Sequence, residues 1–171
     1  YPLISKYIFG EGTITMQETL ADLLKERNAT ISLAESCTGG FASHLLTAIP
    51  GSSSFYEGSI ICYSYDIKEK ELHVPKDLLL EKGAVSEEVV EILSEEILKK
   101  YNTCYSIAIS GIAGPTGGTD DKPVGTVWIS ARSKAKVISK KFSFGSNRGR
   151  NISQSATAGF NLLRQLILSE D

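Results

Sequence analysis

Hydrophobic and polar residues form alternating blocks along the chain that predict strands and helices in turn. Short apolar runs bounded by turn residues are typical of buried strands. Such runs occur at residues 7–9, 30–34, 59–63, 104–109, 124–131 and 137–144. The last two runs are close enough in sequence to pair as a hairpin. The pattern therefore predicts about five strands in the main body of the chain.

Between these runs, apolar residues recur at the three- and four-residue spacing of helices with one buried face. Thr15 and Glu18 form a capping box that begins the first helix, and Asn28 is expected to end it. Ser86 begins another helix that runs to about Lys100, with acidic residues in its first turn and lysines in its last. Further helices are predicted over residues 41–49, on a short stretch that carries Lys68, and over the C-terminal stripe of Ile152, Ala156, Phe160, Leu163 and Ile167.

This alternation is typical of a three-layer α/β/α domain, in which helices cover both faces of one sheet. We expect a mixed, mostly parallel sheet of about five strands, similar to that of anticodon-binding domains, with one antiparallel strand at an edge or next to it. In such sheets ligands bind beyond the carboxyl ends of the parallel strands. Residues 36–40, 63–68 and 110–119 each follow a predicted strand, so we expect them to meet in a single site.

Composition narrows the class of protein. Hydrophobic residues make up 42% and charged residues 22% of the chain, as in ordinary soluble globular domains. The net charge of -2 provides no positive field, so neither nucleic acid nor a membrane surface is an expected partner. The three cysteines form no CxxC pair, which predicts reduced thiols, a cytoplasmic location and no metal site.

The segment from Glu35 to Gly40 places a serine hydroxyl at a junction between strand and helix. Free N–H groups at a helix start can hold an oxyanion or a phosphate, which makes Ser36 a candidate nucleophile. A serine or threonine cap followed by glycines explains the same residues, and this alternative stays open. Cys37 is a rival nucleophile, but a catalytic thiolate normally needs a positioned histidine, and neither histidine has a recognisable dyad context.

A serine without a histidine partner needs another base. A lysine of lowered pKa, acting directly or through a tyrosine hydroxyl, can take that role. Lys68 and Tyr63 follow the second apolar run and are candidates, although no spacing rule separates them from structural residues.

Two features could bind a phosphate. The glycine-rich loop at residues 111–119 could do so through backbone N–H groups, or it could be an ordinary turn, since it has neither P-loop nor dinucleotide-binding spacing. Arg148 and Arg150 stand at the predicted start of the last helix, where arginine could pair with a phosphate. The basic run from Arg132 to Arg150 is otherwise typical of a solvated strand face.

Read in order along the chain, these motifs resemble the CinA C-terminal domain family, whose free-standing members include the amidase PncC. The matching segments are residues 34–40, 50–53, Tyr63 and Ser64 with Lys68, and residues 83–86, 111–119 and 122–127. The resemblance covers roughly residues 15–168. The chain departs from the usual pattern at Tyr65, where asparagine is common, at Ser110, where threonine is customary, and at Ser146 and Asn147, which replace glycine and aspartate before Arg148.

The resemblance implies hydrolysis of the carboxamide of nicotinamide mononucleotide, without a cofactor, to nicotinate mononucleotide and ammonia. It implies catalytic roles for Ser36, Tyr63 and Lys68. The residues expected to contact substrate are Cys37, Thr38, Gly39, Gly40, Ser110, Gly111, Gly114, Arg148 and Arg150.

The resemblance also implies a homodimer and an N-terminal domain similar to molybdopterin-cofactor-binding domains. Residues 1–14 would then be a connector, and residues 15–171 the amidase domain. Two alternatives remain at this point: a regulatory domain that binds a pyridine nucleotide without turnover, and an interaction module related to competence or DNA damage.

Overall fold

The computed structural model describes residues 12–170, which form six α-helices, one turn of 3₁₀ helix and a single five-stranded sheet. In chain order the elements are α1 (Met16–Glu26), β1 (Ile31–Glu35), α2 (Phe41–Thr47), the 3₁₀ turn (Ser52–Ser54), β2 (Tyr56–Ile61), α3 (Tyr65–Leu72), α4 (Lys76–Lys82), α5 (Glu87–Tyr101), β3 (Tyr105–Gly111), β4 (Thr126–Ser133), β5 (Val137–Ser143) and α6 (Arg148–Leu168). The strand predicted at residues 7–9 and most of the predicted connector lie outside the described residues. None of the described helices is long and apolar enough to span a membrane.

The strand order is β2-β1-β3-β4-β5, with β1 parallel to both of its neighbours and β4 antiparallel to both of its neighbours. The sheet is mixed, as predicted: β1, β2, β3 and β5 run in one direction, and β4, next to the edge, runs against them. Helical crossovers connect β1 to β2 and β2 to β3, which keeps those strands parallel. Loops without a helix connect β3 to β4 and β4 to β5, so the chain reverses at each.

Helices cover both faces of the sheet, and strand alternation divides the core into two parts. Ile31 and Leu33 of β1 pack with residues of α1, α2 and α6. Ala34 points the other way and packs with residues of α3, α4 and α5. The three-layer prediction is confirmed.

The sheet face beneath α5 carries small residues. Those on β1, β3 and β4 are Ser32, Ala34, Ser106, Ala108 and Ser130, all fully buried. The serines hydrogen-bond to the helix, since the Ser106 hydroxyl donates to the Ser94 carbonyl at 2.6 Å and the Ser94 and Ser130 hydroxyls lie 3.0 Å apart. Because these side chains are small and the serine hydroxyls are hydrogen-bonded, α5 can pack closely against the sheet on this side.

Several local predictions match the structure. The capping box of Thr15 and Glu18 is present, and Asn28 adopts a left-handed conformation just after α1 ends. Ser86 is the N-terminal cap of α5 by position only, because its hydroxyl donates to the Gly83 carbonyl and accepts no helix N–H. The sequence patterns missed α4, a short helix whose one fully buried side chain, Leu79, leaves little periodicity to detect.

Packing of α6 against the sheet predicts a large loss of stability on truncation. We expect Leu163→Ala, at a fully buried position, to lower the free energy of unfolding by about 2–5 kcal/mol, since it removes apolar contacts and leaves a cavity. Leu80→Ala is the matched control, because Leu80 is 71% exposed, and should change that free energy by less than about 0.5 kcal/mol. Urea denaturation of both variants measures the difference, and equal losses would contradict the assigned core.

Candidate active site

Ser36 stands directly after β1, where the sheet sets the direction of its side chain. Its N–H donates to the Ile109 carbonyl at 2.9 Å, which continues the pairing with β3 by one residue. Residues 32, 34 and 36 alternate onto the sheet face covered by α3 and α5, so the Ser36 hydroxyl is directed towards α3. Only 7% of Ser36 is exposed.

Helix α3 brings Lys68 to this hydroxyl. The Ser64 side chain caps the helix by accepting the Ile67 N–H at 3.2 Å. One turn into the helix, Lys68 Nζ lies 3.0 Å from Ser36 Oγ and also donates to the carbonyls of Cys62 and Tyr63. Lys68 is fully buried, and no carboxylate among residues 12–170 forms an ion pair with it.

The environment of Lys68 favours its neutral form. Burial strips water from the ammonium group and lowers the pKa of Lys68 below its ordinary value. A neutral amine within hydrogen-bond reach of a serine hydroxyl can accept its proton, which is the geometry that serine–lysine catalysis requires. The structure thus brings together two of the three residues assigned to catalysis from the sequence.

The rival nucleophile Cys37 has no means of activation. Burial raises the pKa of its thiol to about 12 and raises that of Cys62 as well. His44 lies on the exposed side of α2, and His73 pairs at 2.7 Å with Glu96, so neither histidine contacts Cys37. A thiol that stays protonated is a poor nucleophile.

The turn between Ser36 and α2 contains fewer free amides than expected. The Gly39 N–H donates to the Ser36 carbonyl at 3.1 Å, and the Gly40 N–H donates to the Glu35 carboxylate at 3.0 Å. Within the described part of the chain, the N–H groups of Cys37 and Thr38 donate to no oxygen. The oxyanion site expected over residues 37–40 is therefore reduced to these two amides. Both glycines adopt positive φ angles, which explains why glycine occurs there.

Tyr63 and Arg148 form a second group at the mouth of the site. The Tyr63 hydroxyl accepts from Arg148 Nη2 at 3.1 Å and does not contact Lys68. Arg148 Nη1 donates to the Gly114 carbonyl at 2.6 Å, so this arginine connects the loop after β2 to the glycine loop. The expected proton relay through the Tyr63 hydroxyl is absent from this arrangement, because that hydroxyl binds the arginine and only the Tyr63 carbonyl approaches Lys68.

The other residues expected to contact substrate are placed differently. Arg150 follows in the same turn of α6, but its side chain has no polar partner among the described residues, so of the two arginines only Arg148 contacts Tyr63 and the glycine loop. Ser110 is almost fully buried, and its hydroxyl donates at 2.7 Å to the Ala84 carbonyl, which makes its visible role structural. At Gly111 a Cβ would lie 2.5 Å from Val127 Cγ2, so close strand packing accounts for that glycine.

The glycine loop is held by a residue that the sequence patterns did not single out. The Asn151 amide, buried in the first turns of α6, donates to the Ala113 carbonyl at 2.9 Å and the Gly145 carbonyl at 2.8 Å. The N–H groups of residues 116–118 donate to no described residue. Residues 12–170 contain no group of three or more His, Cys, Asp or Glu side chains that could hold a metal ion.

Fold and site together define a mixed three-layer α/β domain with a buried serine–lysine pair at the carboxyl end of a parallel strand. A family model described as the CinA C-terminal domain matches residues 13–167, and the chain belongs to this family. The resemblance drawn from the motifs is confirmed.

Relatives and solved structures agree with this assignment. The chain is 45% identical over 164 residues to a CinA-like protein of Cytophaga hutchinsonii, covering 96% of the chain and 39% of the relative. A CinA-like protein of Dictyoglomus turgidum is 40% identical over 166 residues, with 97% and 40% covered. The chain thus spans about two fifths of the length of these relatives.

Among solved structures, a CinA superfamily protein of Klebsiella pneumoniae superposes with a TM-score of 0.86 at 30% identity, covering 90% of this chain and 96% of that one. A competence/damage inducible protein of Agrobacterium tumefaciens has a TM-score of 0.84 at 28% identity, with 95% and 100% covered.

Burial of Lys68 predicts an unusual dependence of stability on pH. The pKa of Lys68 is lower in the folded chain than in the unfolded chain. At a pH between these two values, Lys68 is protonated in more of the unfolded chains than of the folded chains. The free energy of unfolding therefore rises with pH across that range. The free energy of unfolding of the unaltered chain, minus that of Lys68→Met, should therefore increase as the pH rises towards the ordinary pKa of lysine, about 10.4, by at most about 1.4 kcal/mol per pH unit.

Urea denaturation at each pH measures that difference. Lys70→Met is the control, because Lys70 is exposed and its bond to Asp66 raises its pKa. The free energy of unfolding of the unaltered chain, minus that of Lys70→Met, should stay constant over the same pH range. A constant difference for Lys68→Met would contradict the lowered pKa.

Proposed function

We propose that this domain is a serine amidase that hydrolyses the carboxamide of nicotinamide mononucleotide to nicotinate mononucleotide and ammonia. The observation that carries the proposal is the 3.0 Å contact between Lys68 Nζ and Ser36 Oγ, made in the interior and without a carboxylate to hold the lysine in its charged form. The choice of substrate follows from the motifs shared with the amidases of the family.

In the acylation step, neutral Lys68 accepts the hydroxyl proton as Ser36 Oγ attacks the carboxamide carbon. The carbonyl oxygen becomes an oxyanion, for which the free N–H groups of Cys37 and Thr38 are the nearest unused donors along the chain. Aligned donors of this kind lower such barriers by about 3–4 kcal/mol each. The Lys68 ammonium then protonates the amide nitrogen, the C–N bond breaks, and ammonia leaves an ester on Ser36.

Deacylation reverses these proton transfers. Lys68, again neutral, takes a proton from water as the water attacks the ester carbon. The same proton returns to Ser36 Oγ when the C–O bond breaks, which releases the carboxylate product. The carbonyls of Cys62 and Tyr63 accept from the transient ammonium, so it is stabilised without a permanent counter-charge.

The phosphate of the nucleotide needs positive charge and free donors. Arg148 stands at the mouth of the site and forms no ion pair with any described carboxylate, although two of its nitrogens hydrogen-bond to neutral oxygens. It contacts the carbonyl of Gly114, close in sequence to the free N–H groups of residues 116–118. We place the phosphate between this arginine and the glycine loop.

Substitution of the proposed catalytic pair tests the reaction. With nicotinamide mononucleotide as substrate and EDTA present, Ser36→Ala and Lys68→Met should each lower the rate of ammonia release by at least about 1,000-fold, because they remove the nucleophile and its base. Cys37→Ala should keep most of the activity, since the thiol stays protonated. Tyr63→Phe should also retain turnover, because the Tyr63 hydroxyl does not contact Lys68.

Two results would change the proposal. Loss of activity in Cys37→Ala alone would assign a cysteine mechanism. No ammonia release by the unaltered chain, under conditions in which the nucleotide binds, would replace the amidase with a domain that senses pyridine nucleotides.

Phosphate binding by Arg148 predicts a change in KM rather than in kcat. Arg148→Gln should raise KM for nicotinamide mononucleotide by about 10- to 100-fold, since one charge-assisted pair with the phosphate is lost. The same variant should leave KM for nicotinamide riboside, which lacks the phosphate, within about threefold of the original. Arg150→Gln is the matched control and should change neither value. Equal effects on both substrates would contradict a phosphate contact.

A further inference from the structure

Glu35, the residue before the nucleophile, is a fully buried acid at the end of β1. One carboxylate oxygen accepts the N–H groups of Gly40 at 3.0 Å and Ala42 at 3.1 Å. The other accepts the Ser43 N–H at 2.8 Å and the Ser43 hydroxyl. No basic side chain among the described residues pairs with it. Four donated hydrogen bonds compensate the burial of this charge.

This carboxylate occupies the start of α2, where a helix normally leaves N–H groups unpaired. Gly40, Ala42 and Ser43 are consequently unable to hold a ligand anion. The free donors next to Ser36 are restricted to Cys37 and Thr38, so the position of their N–H groups depends on how the turn from Ser36 to Gly40 is held.

Glu35 also connects the turn to the loop that carries the base. Its carbonyl accepts the Cys62 N–H at 2.8 Å, and the Cys62 carbonyl in turn accepts from Lys68 Nζ. The Ser43 hydroxyl that donates to the carboxylate also lies 2.8 Å from Ser59 Oγ on β2. One residue thus contacts both segments that supply the proposed reacting groups.

Strand alternation separates the buried Glu35 carboxylate from the buried Lys68 amine. Glu35 points to the α2 face of the sheet, whereas Ser36 and Lys68 lie on the α3 face. The carboxylate is therefore remote from the reacting atoms and is not a proton donor or acceptor in the reaction.

We propose that Glu35 is a positioning residue, which holds the turn so that the N–H groups of Cys37 and Thr38 face the oxyanion formed at Ser36. The proposal rests on the proposed amidase function. It assigns to Glu35 an effect on the transition state without a contribution to nucleotide binding, because the phosphate is held elsewhere.

Glu35→Gln keeps the size of the side chain but replaces one accepting oxygen with an amide that donates. In the unaltered chain this position faces only donors, so at least one hydrogen bond is lost and the turn shifts. We expect kcat for nicotinamide mononucleotide to fall by about 100-fold, the effect of a misplaced oxyanion donor. KM should stay within about threefold, measured at a temperature where circular dichroism shows the variant to be folded.

Amide hydrogen exchange provides a readout that does not need turnover. Exchange of the Gly40, Ala42 and Ser43 N–H groups should become at least about tenfold faster in Glu35→Gln, because the bonds that protect these amides are weakened. Glu57→Gln on β2 is the matched control, since Glu57 is exposed, and it should change neither exchange nor kcat. Ser43→Ala is a milder variant for use if Glu35→Gln does not fold. It removes only the Ser43 hydroxyl, with its contacts to Glu35 and Ser59, and should show smaller changes in the same direction.

Each outcome decides the proposal. Unchanged exchange of the Gly40, Ala42 and Ser43 N–H groups in a folded variant would overturn it, as would faster exchange with unchanged kcat. A parallel rise of KM with the fall of kcat would overturn the assignment to the transition state. Faster exchange in the variant, together with no ammonia release by the unaltered chain, would instead refute the amidase and leave only the structural role of Glu35.

Discussion

The site depends on a lysine that is buried without a counter-charge. Lys68 is held by a serine hydroxyl and backbone carbonyls alone, and these stabilise an ammonium less than a carboxylate would. Its lowered pKa follows from that environment. A single buried acid beside Lys68 would restore the charged form and remove the base.

The sheet prevents such a pairing with Lys68 although an acid, Glu35, directly precedes Ser36 in the chain. Glu35 and Ser36 are neighbours in sequence, but the alternation of a strand sends them to opposite faces. Glu35 meets the start of α2, where helix N–H groups favour negative charge. Ser36 faces α3, where its hydroxyl contacts Lys68. The same backbone geometry therefore keeps the Glu35 carboxylate away from Lys68 and, in our proposal, orients the oxyanion donors.

Much of the architecture could be predicted from local patterns. Capping residues, apolar periodicity and turn glycines located most of the helices and strands, and the order of motifs identified the family, because each depends on residues close together in sequence. The place of the antiparallel strand β4, between β3 and β5, could not be read from the pattern, since it depends on how two loops direct the chain. Ser36 could be assigned to the junction between strand and helix for the same local reason.

The sequence by itself determined most of the elements, the family and most of the candidate residues. Only the tertiary structure decided which of those residues act together. Lys68 and Ser36 are 32 residues apart, and Arg148 and Tyr63 are 85 apart. The burial of Lys68, the hydrogen bond from Ser110 to Ala84, and the bonds from Arg148 to Tyr63 and Gly114 all depend on such distant contacts. Burial and hydrogen-bond competition are properties of the packed chain, so no local pattern encodes them.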